Sequence, residues 1–110
     1  MAHPLCDRTV TLYGMEQGRI IRIVAENCYY AWEDAWEQTQ DGPRFQRNFL
    51  LILPKACPLR PGWRILEGVG PKNVDWASFL PVTVPGLSEA AYVKPWYLAG
   101  RLHHIEAGRK

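Results

Sequence analysis

From Arg8 to Met15 the chain alternates as R-T-V-T-L-Y-G-M, polar and apolar positions trading places along a β-branched run, which predicts a strand. Glu16-Gln17-Gly18 reads as a short turn in which Gly18 is free to take positive φ. A second strand, R-I-I-R-I-V-A, follows from Arg19 to Ala25, so the two form a β-hairpin. The next stretch, Cys28 to Glu37, fits two patterns. A helix would stack Tyr29, Trp32 and Trp36, whereas a strand would set Cys28, Tyr30, Trp32, Asp34 and Trp36 on one side. The weak helix start at Glu26-Asn27 and the aromatic content favour the strand. Asp41-Gly42-Pro43 reads as a turn, and Arg44 to Leu53 as a strand with Phe45, Arg47, Phe49, Leu51 and Leu53 on one face. Its polar start and solid apolar end predict exposure near the turn and burial on both faces at the far end, where Pro54 stops it.

The pattern changes at Pro54. Seven of the nine prolines lie between Pro54 and Pro95, which forbids a long helix there. Short strands are predicted at Arg64–Glu67, Val82–Val84 and Leu102–Glu106. A single helical turn is predicted at Asp75–Phe79, with Asn73 or Asp75 as its cap. Three tryptophans and many aliphatics make this stretch part of the fold rather than a linker. The expectation is one domain, 1–110, with a regular β half over 8–53 and a Pro/Gly/Trp-rich half over 54–110. The fold class is mainly β: a small antiparallel sheet or partly open β-barrel of six or seven strands, with at most one short helix.

Composition sharpens this picture in three places. With 110 residues the chain is long enough for a core without staples. A net charge of +2 announces neither nucleic acid nor an anionic membrane. The opening Met1-Ala2-His3-Pro4-Leu5-Cys6-Asp7 lacks a positive, then apolar, leader pattern, and the aliphatic run Phe49–Leu53 is far shorter than a spanning helix of about 20 residues. A soluble, cytoplasmic protein is expected. Three cysteines, Cys6, Cys28 and Cys57, form no disulfide or metal-ligand spacing and read as reduced thiols.

No catalytic motif stands out. Glu33, Asp34 and Glu37 are an acidic cluster without a cation-loop spacing, and read as a solvated face. His103 and His104 are adjacent, so on a regular strand they point to opposite faces and cannot chelate one metal together. His3 stands apart, and neither histidine pairs with Cys28 or Cys57 by any local signal. Gly68-Val69-Gly70-Pro71-Lys72 lacks phosphate-loop spacing, and Pro71 removes an amide that a phosphate would use. No enzyme, cofactor or metal is expected. Nine arginines against four lysines, several beside aromatics (Arg44, Arg47, Arg60, Arg64), suit a single-strand nucleic-acid surface or a protein interface. The near-balanced charge favours the protein interface.

The stretches R8-T-V-T-L-Y and F49-L-L-I-L-P, with the hairpin and aromatic segment between them, resemble small prophage proteins of the head–tail joining (head-completion) type. The strongest local likeness is Leu59-Arg60-Pro61-Gly62-Trp63-Arg64-Ile65-Leu66-Glu67-Gly68. That family commonly carries Gly-Asp-Arg before a hydrophobic dipeptide and then Gly, opening a strand. Gly62, Arg64, Ile65, Leu66 and Gly68 stand in those places, with Trp63 where the acid is usual. The tail from Trp96 to Gly108 is also similar to the ending of a group of small prophage-encoded proteins.

The resemblance implies a small barrel-like virion component, docking into a portal-bound ring between capsid and tail. It would act without catalysis, through contacts with itself and with portal or tail proteins, and without a membrane. The positions singled out for such contacts are Trp32, Trp36, Arg44, Arg47, Trp76 and Trp96. The second reading is an OB-like module binding single-stranded nucleic acid.

Overall fold

A computed structural model describes residues 7–109, and the side chains of residues 33–37 and 44–47 lie outside that description. The described chain is built from seven strands: β1 (Arg8–Glu16), β2 (Arg19–Thr39), β3 (Gly42–Leu53), β4 (Arg64–Glu67), β5 (Leu87–Glu89), β6 (Tyr92–Leu98) and β7 (Arg101–Gly108). All pair antiparallel in one sheet of order β5-β4-β1-β2-β3-β7-β6. The two edge strands, β5 and β6, follow one another in the chain across Ala90-Ala91. There the amide of Ala90 donates to the carbonyl of Trp63, and that of Ala91 to Gly108. One segment thus ties both edges together, and the sheet curls into the partly open barrel expected for an antiparallel chain that must cover its edges.

The alternative between helix and strand over residues 28–37 resolves as strand: β2 continues through it. It does so by changing partner. Up to Cys28 it pairs with β1, and from Tyr29 onward with β3. The switch coincides with a bulge, where the register moves between Arg8↔Cys28 and Val10↔Ala25 and Asn27 adopts φ 58°. Asparagine is one of the few residues that accepts this left-handed geometry at low cost, so the bend falls where the sequence permits it.

Two hairpins close by two-residue turns with positive φ at both positions, Gln17-Gly18 and Ala99-Gly100. That geometry matches the twist of the flanking strands. The β2–β3 turn is Gln40-Asp41, one residue before the predicted one, so Gly42 and Pro43 open β3 instead of ending the loop. Pro43 is tolerated because β3 has no third strand beside it at that level.

In the second half, the prediction at Arg64–Glu67 holds as β4, and that at Leu102–Glu106 lies within β7. The strand expected at Val82–Val84 is instead a run of turns. Thr83 explains it: its hydroxyl donates to the Ser78 and Leu80 carbonyls, and the Thr83 and Val84 amides both reach Leu80. These local bonds outcompete a ladder for a β-branched triplet. Asp75–Phe79 makes its single turn, with the Ser78 and Phe79 amides donating to Asp75. β5 and β6 were hidden by shortness and by Pro95.

The barrel interior holds Val10, Leu12, Cys28, Tyr30, Phe49, Leu51, Leu53, Trp63, Ile65, Ile105 and Ala107, all buried and drawn from both halves of the chain. A smaller cluster of Tyr13, Phe79 and Leu87 forms on the other face, roofed by the loop of residues 68–86. Thr11 stitches that loop down: its buried hydroxyl donates to Gly68 O (2.7 Å) and accepts from Gly70 N (2.8 Å). The proline-rich half therefore supplies four strands of the barrel, with irregular stretches over 54–63 and in the roof loop 68–86.

Candidate interaction surface

Two ribbons leave the barrel. Beyond the four pairs that join β3 to β7 (Leu50↔Gly108 to Leu53↔Ile105), the strands β2 and β3 pair only with each other out to Thr39↔Gly42. Likewise β6 and β7 pair only with each other out to Leu98↔Arg101. Each ribbon lies on the N-terminal side of the shared segment, and β3 and β7 are antiparallel, so the ribbons depart in opposite directions. The radius of gyration of 14.8 Å exceeds the roughly 13 Å of a fully compact chain of this length, as such arms require. A two-stranded ribbon alone in water is marginal, so arms of this kind ordinarily have something to pack on.

The six singled-out positions separate into four settings. Trp32 sits at the root of the β2–β3 ribbon, half-buried against the rings of Tyr30 and Phe49 at 5.9 Å each, and belongs to the barrel core. Trp36, Arg44 and Arg47 fall on the ribbon itself, opposite Phe45, Glu37 and Asp34, with side chains outside the described residues. The acidic trio Glu33, Asp34 and Glu37 is outside them in the same way, as are His3 and Cys6. Trp76 is architectural: the Arg64 guanidinium lies 3.8 Å over its ring and donates to the Trp76 and Phe79 carbonyls, pinning the roof loop. Trp96 is 41% exposed on β6 and is the one described member of the set that faces solvent.

Around Trp96 the structure assembles residues that the sequence did not group. Tyr97 and Leu98, 65% and 66% exposed, continue the apolar surface to the hairpin tip. Lys94 places its ammonium 4.3 Å over the indole, and His104 stacks beside it at 5.9 Å with the rings 19° apart. His103 and His104 do not point to opposite faces as a regular strand requires. The register of β6 on β7 shifts between Trp96↔His104 and Tyr97↔Leu102, leaving His103 as an extra residue. Such a bulge sets two consecutive residues against one and breaks the alternation. The two Nδ1 atoms come within 2.7 Å as a result. The one legible cue was the pair of strand-like runs either side of Ala99-Gly100.

On the next part of the same outer row, Tyr92 donates to Glu106 at 3.0 Å. Partial burial first, then this carboxylate's bond and charge, push the phenol above its ordinary range.

The other candidates are tied into the fold. The amides of Gly68 and Gly70 are taken by Thr9 O and by the Thr11 hydroxyl, and the carbonyls of Gly70 and Pro71 accept from Arg22. The glycine loop is thus a strap across the sheet. Cys57 lines an open cleft of about 440 Å³ beside the β2 bulge, among Ala25, Asn27, Leu53 and Pro58, with no histidine in its lining. Burial raises its thiol, and a backbone hydrogen bond with Leu59 only partly opposes this. Cys28 is buried in the barrel. Among the described residues no three His, Cys, Asp or Glu side chains converge as a metal centre, and no helix is long and apolar enough to cross a membrane.

Comparison with known protein families, characterised proteins and solved structures finds no match.

Proposed function

We propose that the protein is a non-enzymatic assembly component that works through protein–protein contacts made by its two ribbons. The observation carrying this reading is a pair of two-stranded β-ribbons with no third strand beside them, rooted on the core through Trp32 and Leu102 and leaving the barrel in opposite directions, one ending in exposed Trp96, Tyr97 and Leu98. Exposed aromatic side chains of this kind are typical anchors of protein interfaces, and here Lys94 lies over Trp96 while Arg101 pairs opposite Leu98. Opposed arms suit a head-to-tail contact between copies, which closes into a ring when the rotation allows. The resemblance of residues 8–70 to head–tail joining proteins supplies the class: a prophage-derived connector whose partners are itself and portal or tail proteins.

Sedimentation velocity across a concentration series, alone and with the portal protein encoded nearest to it, tests this reading. Association that is lost on changing Trp96, Tyr97 and Leu98 together to Ser supports it. A monomer under both conditions, from a gene remote from portal, capsid and tail genes, refutes it. Salt-dependent binding of a single-stranded oligonucleotide without protein association would replace it with the nucleic-acid reading.

A further inference from the structure

We propose that His103 and His104 form a two-imidazole chelate for a divalent late transition-metal ion of the nickel and copper class. The inference rests on the β7 bulge and is independent of the assembly reading. In a regular strand adjacent imidazoles diverge; here the extra residue turns both to one face, with Nδ1 to Nδ1 at 2.7 Å and the rings 80° apart. Two imidazole nitrogens that close need something positive between them. A proton serves when one ring donates Nδ1–H to the lone pair of the other, and a metal ion serves when both lone pairs face it.

The spacing selects the ion's geometry. With metal–nitrogen bonds of about 2.1 Å, a separation of 2.7 Å subtends about 80°, near the right angle of square-planar or octahedral neighbours, whereas a tetrahedral ion needs about 3.4 Å. Imidazole pairs in cis positions of such fields are what nickel(II) and copper(II) take. No third His, Cys, Asp or Glu converges among the described residues, so the remaining positions are filled by water and the ion is exchangeable. Trp96, stacked on His104, holds that ring in place and reports on it.

The test uses the full chain, untagged, with His3→Ala in every sample so that His103 and His104 are the only imidazoles. Nickel(II) is titrated by calorimetry and by tryptophan fluorescence. One ion per chain is expected, with partial quenching that disappears in Trp96→Phe although binding persists. Losing even an outer partner of a metal ligand costs about 10–100-fold in affinity, so His103→Ala and His104→Ala should each weaken binding by at least about tenfold. Unchanged far-UV circular dichroism shows that the variants remain folded. Affinity that either alanine variant leaves within about twofold of the parent overturns the proposal, because one imidazole or a thiol then suffices. Absence of any saturable binding overturns it equally.

Discussion

Replacing Gly14 by Ala should unfold the barrel's seam from the inside. Gly14 sits in the middle of β1, paired with Ile21, and its missing side chain makes room for the indole of Trp63. A Cβ built there overlaps Cε2, Cδ2 and Cζ2 of that ring. The indole has nowhere to go. Trp63 is 3% exposed, its Nε1 donates to Glu16 at 3.3 Å, and its carbonyl accepts the Ala90 amide that ties the two sheet edges. Overpacking ordinarily costs about 1–3 kcal/mol, and three overlapped atoms on a ring held at both ends place Gly14→Ala at about 3 kcal/mol or above. At roughly 4 °C or more per kcal/mol, the melting temperature falls by about 12 °C or more.

The control is Trp63→Leu, which removes the overlapped atoms and costs about 2–4 kcal/mol through its own cavity. In that background Gly14→Ala should be neutral or stabilising by about 0.5–1 kcal/mol, since Gly is the poorer strand residue. Urea unfolding of the four proteins, followed by far-UV circular dichroism, measures the coupling. An equal cost of Gly14→Ala in both backgrounds, within about 0.5 kcal/mol, would show that the indole is not the cause.

Two further perturbations probe the roof loop and the cleft. Thr11→Val keeps the shape of a fully buried side chain but strips Gly68 O and Gly70 N of their partner. It should cost about 2–4 kcal/mol, and limited proteolysis should cut first within residues 68–86; cleavage elsewhere would contradict that account. Cys57, in a Cys6→Ser background, should alkylate more slowly than a free thiol at pH 8, its rate still climbing above the ordinary thiol value of 9.0, where that of a free thiol levels off. Because the folded thiol is raised, its contribution to stability is present below the unfolded value and is lost as pH climbs through the folded one. An alkylation rate equal to that of the unfolded chain would contradict the half-buried placement.

Four strand segments were legible from their residues: β1, the first part of β2, the apolar end of β3, and β4. Period-two spacing sets which residues share a face. Phe49, Leu51 and Leu53 are buried while Leu50 and Ile52 on the other face are only partly so, short of the two-face burial expected. β1 is buried on both faces because the roof loop covers Thr11 and Tyr13. Val82–Val84 misled because its own hydroxyl bonds locally, and β6 was missed because Pro95 reads as a breaker although an edge strand tolerates it. Of the interaction positions, Trp96 lies on the exposed surface, while Trp32 and Trp76 serve packing; a single tryptophan's spacing does not say which.

What the sequence determined by itself is the class: antiparallel β, turn-rich and free of long helices, because period-two patterning and proline spacing are local properties of the chain. Tertiary structure alone decided that β2 changes partner at Asn27, that Ala90-Ala91 joins the two sheet edges, and that the roof loop hangs on Thr11. It also decided that two neighbouring histidines share a face. Each depends on pairing and register that only the assembled sheet sets, and a one-residue slip in register moves side chains to the other face without leaving a mark on the local pattern.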